Sequence, residues 1–308
     1  MSAARQRFLG DVAGIRGALA LDPLATGSGG AVDPPAIIVL RRGILIAAFI
    51  ALETFIRARC VEVVSQLGNW SGSYDDFPAK FRDAALFGAV SNLQKYAQML
   101  KRQGEDYNGE IASEISLLGQ TGGPVYNFSR HIAGDYTGNV SVSSVKEMMA
   151  AFGVKDCWNE FRQIAAAIGY GVPSIEELLK SLATRRHRSA HVAGYAPTTN
   201  DTQHLADQLI ALGACIDLAL TSSTRRALAH WTEWRDDDVK WRANVRLFMV
   251  DEESGKFRLL AAGQSRALKV KPTIEDIRNA IPAAQPGQTL LIAQRDSRKV
   301  PISWWLGT

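Results

Sequence analysis

Apolar residues recur at helical spacing over most of the chain and alternate at strand spacing only near its end. Phe8, Val12, Ile15 and Leu19 mark a first helix over about 5–20. Pro34 and Pro35 then introduce a long apolar helix over about 36–67, stopping near Gly68. Its Leu40, Ile44, Ala47, Ala48, Ala51, Leu52 and Phe55 make the wide apolar face of a central bundle helix. Further helical patterns cover about 79–102, 109–118, 157–168 and 201–230. Ser144 with Glu147 fits a capping box that opens another helix, with Gly153 as its stop. Ser174 with Glu177 fits a second box, so a helix starts at Ile175 and runs, whole or briefly broken, into "RRHRSAHV" at 185–192.

The pattern changes after about 234. "WRANVRLFMV" and "FRLLAA" read as strands around the polar turn "DEESGK", which contains Gly255. "RALKVK", "QTLLIAQ" and "VPISWWL" read as further strands, and "TIEDIRNAI" as a helix capped by Thr273 and Asp276. The expected fold is mainly α: an N-terminal helix and Gly/Pro-rich linker (1–35), a helical bundle (36–232) and a small α+β domain (238–308).

A hydrophobic fraction of 46% and a charged fraction of 21% suit a soluble globular chain able to bury a core. The net charge of +4 does not by itself demand a nucleic-acid partner, but it is uneven. Residues 241–308 carry a net +5 and the remainder a net −1, so a basic module follows a neutral body and invites an acidic partner. Cys60, Cys157 and Cys215 are too few and too scattered for a disulfide framework and suit a reducing compartment. The start of the chain lacks a signal-peptide core, and Arg41, Arg42 and Glu53 interrupt the most apolar stretch. A cytoplasmic protein without a membrane span is expected.

Several chemistries lack their motif. There is no phosphate-cradling glycine loop, no HExxH and no nucleophile elbow. The acidic run "RDDDV" (235–239) reads as a solvated linker. The tryptophans at 231, 234, 241, 304 and 305 read as core and interdomain packing ahead of base stacking.

"RRHRSAHV" places three arginines and two histidines within seven positions. Cations at a helix C-terminus are favourable in themselves, by ~0.3–1 kcal/mol each, which would make the cluster a plain basic helix end. His187 and His191 are four apart and would share a helical face, but zinc needs more ligands. His131, His204, His230 or Glu53 would have to converge on them, and the arginines oppose a cation. No metal and no cofactor is therefore expected. The third reading is phosphate chemistry. Arg186 can hold a phosphate through paired N–H groups, and a histidine can take or give a proton near neutral pH. The 2′-hydroxyl of RNA would be the nucleophile.

The segment "RHRSAH" (186–191) resembles the R-x4-6-H motif of the HEPN superfamily, with His187 in the polar slot after the arginine. The run-up "GNVSVSSVKEMMAAFGV" and "SIEELLKSLATRRHRSAHV" resembles HEPN domains of the RiboL-PSP kind. The helix "LRRGILIAAFIALETFIRAR" is similar to their first helix, where Glu53 would be the internal acidic residue. The resemblance covers about 36–225 in outline and 40–59 and 138–192 in detail, and the tail from about 238 matches nothing in it.

The resemblance implies a dimeric, metal-independent endoribonuclease of toxin–antitoxin or anti-phage defence systems. Arg186 would bind the scissile phosphate, His191 would act as general acid or base, His187 would orient the phosphate or Arg186, and Glu53 would tether the pair. Arg185 and Arg188 would be surface or RNA-steering charges. Partners would be an RNA substrate, a second copy, and an antitoxin or other defence protein. Glu53 has a plainer alternative, a salt bridge to Arg57 one helical turn on. Two other readings of the whole chain are a non-catalytic HEPN nucleotide-binding, RNA-binding or dimerisation module, and a DNA-binding regulator, for which no recognition helix stands out.

Overall fold

The computed structural model describes residues 2–22, 35–68, 70, 72–122, 127–134, 136–232 and 241–307. Helix α1 (Ala3–Leu19) starts at Ser2, whose hydroxyl accepts from the Arg5 N–H. Helix α2 (Pro35–Leu67) is the axis of the molecule, packed along α1 and along two later helices. Helix α3 (Ala79–Asp83) passes through a π-helical segment (Ala84–Gly88) into α4 (Ala89–Gln103), followed by α5 (Asn108–Gln120).

Helix α6 (Val142–Ala151) begins three residues earlier than the Ser144–Glu147 pattern predicts. Ser141 is its cap, and the Ser141 and Ser144 hydroxyls exchange bonds with each other's backbone N–H, so a Ser-x-x-Ser pair takes the place of the Ser/Glu box. Gly153 ends it with φ +72°, as expected. Helix α7 (Cys157–Ala167) and helix α8 (Ile175–His191) follow. Ser174 caps α8 by accepting from the Glu177 N–H, and the helix continues without a break through the Arg/His cluster. A single turn, α9 (Thr199–Thr202), leads into α10 (Leu205–Ala229), whose apolar centre is buried on all sides.

The C-terminal part forms a five-stranded mixed sheet. Its strands are β1 (Val245–Glu253), β2 (Lys256–Ala261), β3 (Lys269–Lys271), β4 (Thr289–Arg295) and β5 (Pro301–Gly307), with α11 (Ile274–Ala280) before β4. The order is β3-β2-β1-β4-β5; β1 and β4 are parallel and the other pairs antiparallel. Ser254 and Gly255, both at positive φ, make the two-residue turn between β1 and β2.

Alternation along the strands sends side chains to two cores. Phe248, Val250, Leu290 and Ile292 face α11 with Ile277. Leu291, Ala293 and Trp304 point the other way, into the core of the helical body. There Phe8 of α1 stacks on Phe55 of α2 with centroids 4.6 Å apart, and Trp304 meets both at 6.0 Å. Gly213 of α10 lies beneath them, where a methyl group would come within 2.6 Å of Phe8 and 2.8 Å of Trp304. The helices and the sheet thus share one interior, and the boundary expected at 232–238 falls mostly outside the described residues.

Among the described residues, α2 and the stretch Thr199–Ala229 are long and apolar enough to cross a membrane by length and hydropathy alone. The apolar window of the second is almost wholly enclosed by the fold, as in the core helix of a soluble protein, and that of α2 is less than half enclosed.

Candidate functional site

Helix α8 is amphipathic for most of its length. Ile175, Leu178, Leu179 and Leu182 bury one face against α2, α7 and α10. The last turns change character, because the sequence supplies charge where the core ends. His187, Arg188 and His191 are exposed, Arg186 is half-buried and Ser189 is buried. The imidazoles of His187 and His191 lie side by side, centroids 4.9 Å apart, as the i, i+4 spacing requires.

The arginines separate by role. Arg185 is half-buried, and its guanidinium donates to the Asp201 carbonyl and to Gln208 Oε1 at 2.8 Å. It therefore clamps α8 to α9 and α10 inside the fold, in contrast to the surface charge expected. Burial pulls its pKa below the usual arginine value. Arg188 stacks over the Tyr195 ring at 4.2 Å and stays exposed. Arg186 Nε is buried with no hydrogen-bond partner among the described residues, and so is Ser189 Oγ one turn later. Arg42 of α2 donates to the Val192 carbonyl and fixes the end of α8.

Glu53 stands elsewhere. Its Oε1 accepts from Arg57 Nη2 at 2.8 Å and from the Val140 N–H at 2.8 Å. Arg57 also donates to the Gly138 carbonyl and lies over the Tyr136 ring at 4.8 Å. Glu53 and Arg57 thus bind the 136–140 segment to α2, and among the described residues no hydrogen bond joins Glu53 to Arg186, His187 or His191. Arg42 marks the motif's end of α2, and eleven residues of helix, ~16 Å, separate it from Glu53.

The remaining charges of α2 are also paired. Arg41, almost fully buried, grips both oxygens of Asp22 and also bonds the Pro197 carbonyl and Thr199. Arg59 donates to Asp217 at 2.6 Å, to Glu62 at 3.0 Å and to Thr221 at 2.7 Å. Asp217 is fully buried and also accepts from Arg5 and from the Trp304 indole at 2.8 Å. Burial alone would raise its pKa, but the Arg5 and Arg59 guanidiniums outweigh that and hold it below the usual carboxylate range. Sequence reasoning missed this centre. Its signal is a lone aspartate in the apolar run "IALGACIDLAL".

No group of three or more His, Cys, Asp or Glu side chains that could hold a metal occurs among the described residues. His131 is buried near Tyr96 and Tyr136, and His230 lies against the turn at Gly287, so neither joins the α8 pair. The α8 end can therefore offer exposed imidazoles, one partly buried guanidinium and one exposed guanidinium to an anion. No protein-family model, no curated protein and no solved structure matches the chain.

Proposed function

We propose that the chain is a metal-independent endoribonuclease of the HEPN kind, working as a homodimer in a bacterial toxin or anti-phage defence system. The observation that carries the reading is the last two turns of α8, where the His187 and His191 rings are adjacent and exposed and Arg186 Nε has no described partner. In this reading Arg186 holds the scissile phosphate and stabilises the charge added in the transition state. The 2′-oxygen of RNA attacks phosphorus and the bond to the 5′-oxygen breaks, leaving a 2′,3′-cyclic phosphate and a 5′-hydroxyl. His191 takes the 2′-hydroxyl proton or gives one to the 5′-oxygen, and the second motif of the dimer does the other. His187 orients the phosphate, and Arg188 draws the RNA backbone in.

The partner copy is supported by a stripe on α2 where Val39 (68% exposed) and Ile50 (48% exposed) bracket Gly43 and Ala47 on the surface. The basic C-terminal module would guide RNA or a protein partner such as an antitoxin, and the setting is cytoplasmic. The position of Glu53 favours a second reading, a HEPN module that binds RNA or nucleotide without cleaving it, because the expected acidic tether is committed to Arg57 and Val140.

The test is cleavage of tRNA and total cellular RNA by the purified chain in chelator. The expected result is fragments ending in 2′,3′-cyclic phosphate, lost in His191→Ala and in Arg186→Ala. Equal cleavage by wild type and His191→Ala, or no cleavage by either, overturns the catalytic reading.

A further inference from the structure

Far from the α8 histidines, the start of α1, the C-terminal part of α2, the C-terminal part of α10 and the end of β5 enclose a cleft of about 440 Å³. Arg42, which marks the α8 end of α2, and Arg59, in the wall of this cleft, are 17 residues apart on one helix, ~25 Å. The cleft falls within the size range of small-molecule sites, roughly 300–1,000 Å³.

Its charges do not balance locally. Arg5, Arg59 and Arg225 line it, against the carboxylates of Glu62 in its wall and Asp217 behind it. Both carboxylates are fully engaged. Asp217 Oδ1 takes Arg59 and Thr221, and Oδ2 takes Arg5 and Trp304. Glu62 Oε1 takes the Ala4 N–H at 2.8 Å, and Oε2 takes the Ser2 hydroxyl at 2.6 Å and Arg59 at 3.0 Å. The start of α1 is thus already satisfied by an internal carboxylate and is not the source of the attraction.

The arginines keep donors in reserve. Arg59 uses all three guanidinium nitrogens. Arg5 uses only Nε, and Arg225 uses only Nη1, on the Gln288 and Gly307 carbonyls. Among the described residues, both Nη groups of Arg5 and the Nε and Nη2 of Arg225 have no acceptor. Burial and then repulsion from Arg5 and Arg59 pull the Arg225 pKa down, with Asp217 only partly opposing, so the cations sense one another across the cleft.

We propose that this cleft is a binding site for a small phosphate-bearing anion, held by the free guanidinium donors of Arg5 and Arg225. Guanidinium pairs match the spacing of phosphate oxygens, and a dianion relieves the repulsion among three cations. Gln66 stands at the rim, exposed, where it meets whatever group carries the phosphate. Occupancy would tie α1, α2, α10 and β5 together at the point where the sheet joins the helical body. The site does not depend on the ribonuclease reading, and its test contains no RNA.

The full chain is titrated with inorganic phosphate, pyrophosphate, AMP and ATP in chelator, against sodium chloride at matched ionic strength, by calorimetry and thermal shift. Phosphate compounds are expected to raise the melting temperature by several degrees where chloride does not. Tighter binding of AMP or ATP than of inorganic phosphate assigns the site to a nucleotide, and equal binding assigns it to the phosphate group alone. Arg225→Gln is expected to weaken binding at least tenfold and Arg225→Lys by less. Gln66→Glu changes only an exposed rim residue, keeps the fold even if Arg225→Gln does not, and is expected to weaken binding by repelling the anion. No stabilisation beyond chloride, or wild-type binding in both Arg225→Gln and Gln66→Glu, overturns the proposal.

Discussion

His187 and His191 hold their imidazoles 4.9 Å apart on one exposed turn of α8, with no third metal-ligating side chain beside them among the described residues. Two neutral imidazoles one turn apart can chelate a divalent cation weakly, which would block both for proton transfer. Zinc in large excess is therefore expected to inhibit the proposed RNA cleavage, with full recovery on adding chelator. Activation by zinc would contradict the metal-independent reading.

A Glu53 variant can separate folding from the proposed catalysis. Its carboxylate joins Arg57 to the Val140 N–H, so Glu53→Gln keeps an acceptor but loses the ion pair. A loss of ~1–3 kcal/mol in denaturant stability is expected. The proposed cleavage by the folded variant should stay within a few fold of wild type, where His191→Ala is expected to abolish it. An equal loss of cleavage in the two variants would return Glu53 to the catalytic set.

Asp217 should be one source of acid sensitivity. Its folded pKa lies below the ordinary carboxylate value of about 3.9, so between the two values the unfolded chain binds more protons than the folded one. Its contribution is complete above that ordinary value and disappears as pH falls through the folded one. Acid unfolding followed by circular dichroism should show this, and Asp217→Asn should remove that component. Leaving two buried guanidiniums without their anion should also cost ~3–5 kcal/mol at neutral pH.

Gly213→Ala is expected to lower the melting temperature although alanine is the better helix former, because its methyl would press on Phe8 and Trp304. Overpacking of this kind costs ~1–3 kcal/mol. Phe8→Leu in the same chain should restore part of the loss, and a melting temperature equal to wild type in Gly213→Ala alone would show that the contact yields.

The three thiols should be silent in the native protein. Burial pushes Cys60 up to about 12 and Cys157 up to about 11, and raises Cys215 as well. Ellman's reagent at neutral pH is expected to label none of them until denaturant is added, and then all three. Rapid labelling of the folded protein would place a thiol at the surface.

Helical spacing and cap residues made most elements legible, including the unbroken helix that begins at Ile175. The strands were readable because Phe248, Val250, Leu290 and Ile292 alternate with residues of the opposite face. Ser141 was missed because a serine can replace glutamate as the reciprocal acceptor in a capping box. The side-by-side pair His187 and His191 followed from spacing alone. The inward turn of Arg185 did not, because Asp201 and Gln208 come from later elements. The Asp217 centre was illegible for the same reason, since Arg5, Arg59 and Trp304 converge on it from distant segments.

The contact of Phe8, Phe55 and Trp304 has a consequence for synthesis. The ring that seals the pocket over Phe8 and Phe55 is the last of the three to leave the ribosome, long after both helices that carry the other two. Until then α1 and α2 can pair but cannot exclude water from the site Trp304 will fill, and Asp217 lacks its indole donor. Interior closure is thus deferred until β5 is made, so nascent chains that lack β5 should be held open to proteases and chaperones until that strand docks.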